Sequence, residues 1–382
     1  MVAEIFTVEK IGRNSADYPL AGVLFILLGV GLSMLFSASY YWAQTLVQNP
    51  FYFFKRQIIW VLAGLALSFI ASRISMTFLK KLVPWILLVT VLAMLLTFIP
   101  GIGTKALGAR RWFYIFGVSF QPSEVVKLAT VIYLAYIFEK RKENFDNVVN
   151  SLLPPLIVVL IFTVLIYLQN DYSTAMFVLV VGASMFFIAK VPLRYFVTVV
   201  AATVPFAVLL LLSRAHRVRR IIAFIDPQID PSGIGYQVLA SQSALMNGGL
   251  WGRGIGESLR KFGGLPEAHS DFVFAIVGEE LGFVGIVLII SLFLFFAYRG
   301  YRIAYYSRDT FRSLLAFGLT TCIVFQAMVN MGVVAGIVPA TGITLPFFSA
   351  GGSSILVSMV MCGLLLNLSR FTGNATEEGL DG

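Results

Sequence analysis

Apolar runs of about the length that crosses a bilayer as a helix, roughly 20 residues, recur ten times along this chain. They fall near 18–40, 57–72, 82–100, 122–138, 152–168, 174–189, 195–212, 272–298, 313–335 and 350–368. This recurrence constrains the fold more than any other feature. In hydrocarbon every backbone N–H and C=O must find a partner within the protein, so repeated spans of this kind are helices. Composition agrees. Of 382 residues 58% are hydrophobic and 12% charged, about half the ~25% charge of a soluble domain. So few charges cannot cover so much apolar surface, which excludes a soluble globular domain, a disordered chain and a disulfide-rich secreted module. The expectation is an all-α polytopic membrane protein with about ten transmembrane helices. It divides into a cytoplasmic segment 1–17, one transmembrane domain 18–370 and a disordered cytoplasmic tail 371–382. The first run is long enough to span and follows a polar stretch, so it reads as a helix and not as a cleavable signal.

Basic residues orient the spans. Fifteen of the 28 Lys and Arg fall on the N-terminal side and 12 on the opposite side, with Lys127 inside the fourth run. Seven of those 12 sit in one long loop, 213–271, and the short loops on that face hold only Lys55, Arg56, Lys105, Arg110 and Arg111. Both termini are therefore expected inside, with loop 213–271 extracytoplasmic. A net charge of +9 is usually held in the cytoplasm. Here the outer loops keep Arg110, Arg111, Arg214, Arg217, Arg219, Arg220, Arg253, Arg260 and Lys261. Headgroup anchoring is the plain reading of any one of them. As a group they suit an outer-leaflet anion such as a lipid pyrophosphate. Cys322 and Cys362 lie in apolar runs and read as core packing. Two histidines and two cysteines, scattered, give no metal-ligand spacing, so neither a metal nor another cofactor is indicated, and nothing points to nucleic acid. No internal or inverted repeat is visible.

Four segments carry polar chemistry. In 101–127, a glycine-rich stretch leads to Arg110-Arg111-Trp112 and then to Gln121-Pro122-Ser123-Glu124. Pro122 suits a first helical turn, and Glu124 and Lys127 are spaced to pair on one face. Ionisable residues in a span face protein or a cavity; the plain alternative is a capped helix with an internal ion pair. Gln169-Asn170-Asp171-Tyr172-Ser173-Thr174 is a polar turn in which Asp171 or Ser173 would cap the sixth helix. The long loop begins with a basic amphipathic stretch, 214–226, that reads as an interfacial helix. It continues through Gly235-Tyr236-Gln237, Gln242 and the glycine-rich run 248–258, and ends at Glu267-Ala268-His269-Ser270-Asp271. Ser270 or Asp271 would serve as an N-cap. A carboxylate at the outer mouth beside His269 and near arginines also suits a general base. Glu279 and Glu280, deeper in the eighth run, require partners. Finally, 330–354 is interrupted by Gly336, Pro339, Gly342, Pro346, Gly351 and Gly352. Such irregular backbone is tolerated only against protein or a water-filled cavity.

Taken together, ARRWF with QPSEVVK, GYQ with QSALMNGG, LPEAHSDFVFAIVGEELG and TGITLPFFSAGGSS resemble the SEDS family of membrane peptidoglycan polymerases. The resemblance runs in the family's order over about 18–370. GEE at 278–280 and the early FYFFKRQ resemble the division branch more than the elongation branch. The chain departs from the usual pattern at Asn170, Tyr172 and Ser173, and at Ala350, where a tyrosine is common.

The resemblance implies a glycosyltransferase that polymerises lipid II on the outer face of the cytoplasmic membrane and releases undecaprenyl pyrophosphate. Its setting would be the division septum. Asp271 matches the family's essential aspartate, Arg111-Trp112 its Arg-Trp motif, and Glu124 and Lys127 its acidic and basic pair. Arg110, Gln237, His269, Ser270 and Ser353 complete the expected substrate-binding set. Partners implied are a class B penicillin-binding protein, which supplies the transpeptidase, and other divisome proteins. The competing readings are a lipid II flippase, best served by the deep Glu279 and Glu280, an elongation-type polymerase of the same family, and a scaffold for division proteins.

Overall fold

The computed structural model describes residues 15–106, 109–115, 118–142, 151–229, 233–262 and 264–372. Most of segment 1–17 and of tail 371–382 lies outside them. Ten long helices follow the ten apolar runs in order. They are α1 (Tyr18–Val47), α2 (Tyr52–Ala71), α3 (Met76–Leu96), α4 (Pro122–Arg141), α5 (Leu153–Leu168), α6 (Tyr172–Ile188), α7 (Leu193–Leu212), then α10 (Val273–Tyr306), α11 (Thr310–Val334) and α12 (Gly352–Leu368). In the long loop lie α8 (Ala215–Ile225) and α9 (Ile234–Gly248).

Seven helices among the described residues (α1, α2, α3, α7, α10, α11 and α12) are long and apolar enough to cross a membrane. The apolar α5 and α6 are shorter, 16 and 17 residues, and α4 carries Glu124, Lys127, Glu139, Lys140 and Arg141. The chain is a multi-pass helical membrane protein; seven of its described helices have full spanning character, fewer than the ten spans expected from the apolar runs.

The bundle packs around α4, α11 and α12, whose inward faces are almost wholly buried. Large apolar side chains on α2, α3 and α7, such as Ile59, Leu62, Trp85 and Leu209, are exposed, as lipid-facing positions are. Ion pairs tie the helix ends on one face: Arg299 grips Asp17, with Nη2 2.6 Å from Oδ2, and Lys80 reaches Glu139 at 2.7 Å. At the opposite face the connections build the site.

Three strands, β1 (Gly103–Ala106), β2 (Ala109–Ile115) and β3 (Val118–Phe120), form an antiparallel sheet in the order β1-β2-β3. The sequence itself shows only a glycine-rich lead-in here. Three short strands give too weak an alternation to stand out beside the apolar helices.

α10 is broken at Gly282, where φ is +68°. Residues 249–254 are spliced into the gap. The carbonyls of Glu279 and Glu280 accept from the N–H groups of Arg253 and Gly254, at 3.0 and 3.1 Å. The N–H groups of Phe283 and Val284 donate to the carbonyls of Gly249 and Leu250, at 2.9 and 3.1 Å. Gly252 and Gly282 pack so closely that a Cβ on either would strike the other segment's backbone. The glycine-rich run is thus a splint for a helix, and its glycines are needed for close approach.

Candidate active site

A cavity of about 200 Å³ opens at the loop end of the bundle. It is lined by Arg111 and Trp112 from β2, Gln121, Glu124 and Lys127 at the start of α4, Asp171 and Thr174 at the start of α6, and Ser353 and Ser354 from α12. Glu267, Ser270 and Asp271 close it ahead of α10, and Gly342, Ile343 and Thr344 come from the irregular segment between α11 and α12. The fold-back expected of 330–354 is present.

The sheet register explains why two consecutive residues of β2 face the cavity. Thr104 pairs with Trp112 but Lys105 pairs with Arg110, leaving Arg111 as the extra residue of a bulge. A bulge re-aims side chains in this way. The Arg111 guanidinium lies 3.3 Å from Asp171, and its Nε is buried without a partner. Arg110, on the other side of the bulge, is exposed and does not line the cavity.

Asp171 does two things. One carboxyl oxygen accepts the N–H of Thr174 as the cap of α6, and the other meets Arg111 and the side-chain amide of Gln121 at 3.2 Å. The capping role read from sequence is correct but incomplete.

Glu124 and Lys127 form the expected pair at 2.7 Å, both buried. Lys127 also donates to the side chain of Gln326 at 2.7 Å, and Gln326 in turn donates to Thr344 and Ser354. Its ammonium sits 5.2 Å from the ring centre of Phe177. The pair therefore cross-links α4, α11 and α12 at the cavity floor. Ser353 accepts the backbone N–H of Gln121 at 2.9 Å, joining the start of α12 to the start of α4.

Asp271 is held differently. The N-cap of α10 is Phe272, with no side-chain cap bond, so the carboxylate is not engaged in capping the helix. Its Oδ1 accepts from the Ser270 hydroxyl at 3.0 Å. Its backbone is fixed on both sides: the N–H donates to the carbonyl of Glu267 at 3.1 Å, and Asn330 donates to its carbonyl at 2.8 Å. Burial pushes the Asp271 carboxyl above the usual carboxylate range, against the opposing pull of Ser270 and of the Arg111 and Arg220 charges.

His269 does not line the cavity. Its ring lies 4.5 Å from that of Phe53, and its carbonyl accepts the N–H of Ala350 at 2.9 Å. Burial lowers its pKa, so the neutral ring is favoured. Gln237, on α9, is half-buried and also lies outside the lining.

The loop arginines act separately. Arg217 is buried under Tyr167 and Tyr172 and donates to the Leu210 carbonyl at 2.7 Å. Arg260 donates to Ser243 at 2.7 Å. Arg220 donates to the carbonyls of Ala340 and Thr341, beside Gly342. A Cβ on Gly342 would sit 3.5 Å from the Asp271 carboxylate.

Of the residues expected from sequence, Arg111, Trp112, Glu124, Lys127, Ser270, Asp271 and Ser353 come together. Gln121, Asp171, Thr174, Glu267, Gln326 and Asn330 were not in that set. A signal existed for two of them: Gln326 and Asn330 are amides one helical turn apart in an otherwise apolar run, which marks an inward face. Among the described residues no group of three or more His, Cys, Asp or Glu is arranged to hold a metal ion.

A polytopic helical protein with a buried carboxylate, an arginine and a lysine around a cavity at one membrane face is thereby defined. The chain belongs to the FtsW, RodA and SpoVE family of cell cycle proteins, whose model matches residues 19–374. A relative in Borreliella burgdorferi, named probable peptidoglycan glycosyltransferase FtsW, is 39% identical over 353 residues, covering 92% of this chain and 96% of the relative. Stage V sporulation protein E of Bacillus subtilis is 36% identical over 360 residues, covering 94% and 98%. Among solved structures, a chain of a peptidoglycan synthase complex that coordinates polymerisation and crosslinking matches at a TM-score of 0.76 and 28% identity, covering 94% and 99%. The rod shape determining protein RodA of Thermus thermophilus matches at 0.68 and 25%, covering 94% and 98%.

Proposed function

We propose that this chain is a division-type peptidoglycan glycosyltransferase that polymerises lipid II at the outer face of the cytoplasmic membrane. Its relatives carry that enzyme's name, and the cavity supplies groups the reaction needs. The observation that carries the reading is the state of Asp271. It is a half-buried carboxylate at the cavity mouth, fixed through its backbone, and not engaged in capping its helix.

The acceptor in such a reaction is a sugar hydroxyl, a weak nucleophile. Asp271 takes its proton as it attacks the anomeric carbon of the donor, a contribution of typically 10²–10⁴-fold. The donor departs as undecaprenyl pyrophosphate. Arg111, with its buried free Nε, binds the growing negative charge. Lys127, paired with Glu124 and Gln326, fixes the cavity floor. Trp112 offers an apolar face for a sugar ring, and Ser270 orients the base. A single displacement inverts the anomeric carbon. Arg110, Gln237 and His269 act outside the cavity in this reading: His269 as a packing residue against Phe53, Arg110 and Gln237 at the outer surface.

The expected partner is a class B penicillin-binding protein that crosslinks the strands. Support comes from the likeness to a chain of a synthase complex in which polymerisation and crosslinking are coordinated. Work at the septum alongside other divisome proteins follows from the division-type relatives. The flippase reading loses its main support, because Glu279 and Glu280 do not line a path. They are bound to Ser258, Ser37, Lys261 and the backbone of the spliced loop.

The test is lipid II polymerisation by the purified protein with its cognate penicillin-binding protein, wild type against Asp271→Ala, with transpeptidation blocked. Long glycans from the wild type and none from the variant are expected. Equal product from both would remove Asp271 from the chemistry.

A further inference from the structure

The break in α10 leaves a surface that the polymerase reading does not use. Residues 250–255 run across the outside of the break with Leu250, Trp251 and Ile255 turned outward; Trp251 is 81% exposed. Met246, at the end of α9, is exposed beside them in sequence. On α10 the exposed residues Phe283, Val284, Val287 and Leu288 continue from the splice along a membrane-crossing helix.

Depth places this surface. Arg299 marks the charged end of α10, paired with Asp17. From there to Gly282 the helix rises about 25 Å at 1.5 Å per residue. A hydrocarbon core is about 30 Å thick. The splice therefore lies at or just inside the far edge of the hydrocarbon, and the outward residues of 250–255 lie at the same level.

A loop at that depth is tolerated only if its backbone polar groups are satisfied by protein. This one meets that condition at the splice. The carbonyls of Gly249 and Leu250 and the N–H groups of Arg253 and Gly254 are all paired with α10. The side chains fit the same zone: a tryptophan and two aliphatics, with the exposed Arg253 between them. Tryptophan favours the headgroup level, and an arginine there meets lipid phosphate.

The geometry points to residues 250–255 as a lipid-binding segment. Leu250, Trp251 and Ile255 insert among the headgroups and upper acyl chains of the leaflet on the cavity side, and Arg253 contacts lipid phosphate. The segment is fastened to the Glu279–Glu280 backbone, and that half of α10 begins two residues after Asp271. The leaflet thereby holds the catalytic end of α10 at a fixed height.

The experiment uses the full chain in phospholipid vesicles with a nitroxide at Trp251→Cys, Ile255→Cys or Leu250→Cys, one at a time. The native Cys322 and Cys362 are buried and stay unlabelled. Collision with oxygen, which concentrates in lipid, is compared with collision with a water-soluble nickel chelate. Leu288→Cys is the lipid reference and Gln228→Cys the water reference. The three sites are expected to resemble Leu288→Cys, with nickel collisions several-fold below those at Gln228→Cys. Nickel accessibility equal to that reference at Ile255 and Leu250 would overturn the proposal and leave a water-facing surface for a protein partner. Should Trp251→Cys fail to fold, the other two sites decide the matter alone.

Discussion

At the residue scale, Asp271 sets a pH dependence. A base must be ionised to accept a proton, and burial holds this carboxyl above the ordinary range. Polymerisation is therefore expected to fall as pH drops through that raised value, an acid limb higher than a free aspartate gives. Arg111 is among the charges that lower the Asp271 pKa. Arg111→Ala should move the limb further upward as well as reduce kcat, and a pH–rate profile of the two proteins checks both. The linkage has a second side. The folded protein holds this proton more tightly than the unfolded chain, so stability falls as pH rises from the ordinary carboxylate range through the raised one. Asp271→Asn, neutral throughout, should be inactive yet melt no lower than wild type at neutral pH. Of this site the sequence displayed the charged and aromatic members, because each is conspicuous beside apolar runs. It hid which of two neighbouring arginines faces inward. That choice depends on a bulge opposite Thr104 and Lys105, a pairing no local pattern encodes.

At the scale of elements, the splice in α10 is the feature to perturb. Lys261 is 3.4 Å from Glu280, and both are buried. Lys261 also donates to the Gly256 carbonyl, and Ser37 of α1 donates to Glu280 at 2.6 Å. Removing one partner of a buried pair leaves an uncompensated charge, at a cost of about 3–5 kcal/mol. Lys261→Met should lower the melting temperature in detergent, and adding Glu280→Gln should restore most of it. Gly282→Ala should also destabilise, since its backbone (φ +68°, ψ −166°) lies in a region essentially confined to glycine, at a cost of about 1–3 kcal/mol for a residue with a Cβ, and the Cβ would strike residues 250–252. The adjacent acids could be read from sequence as needing partners. The partners themselves lie about 20 residues upstream and on the first helix, and the chain there shows only glycines and scattered polar residues. Helix α9 was likewise illegible, because glycines and amides dilute its periodicity.

At the scale of the whole molecule, ten apolar runs became ten helices in order, since a period of hydrophobicity that long admits no other backbone in lipid. Charge asymmetry, in turn, predicts a bundle with both ends inside. Gln228→Cys should react with a membrane-impermeant maleimide on intact spheroplasts, and Lys81→Cys only after the membrane is opened. The reverse pattern would invert the orientation and move the cavity to the cytoplasm.

The clamp at the other end of the bundle bears on biogenesis. The N–H of Asp17 donates to the Ser369 hydroxyl while its carboxylate is held by Arg299. The start of the first helix is thus joined to residues made hundreds of positions later. At a synthesis rate of about 5–20 residues per second, Asp17 waits on the order of 20–70 s before Ser369 exists. For most of that interval, until Arg299 is made, the first helix sits in the bilayer with the Asp17 carboxylate lacking its guanidinium partner. Ser369 directly follows α12, one of the helices the bundle packs around, so a nascent chain lacking that helix should remain open to quality-control proteases at this edge.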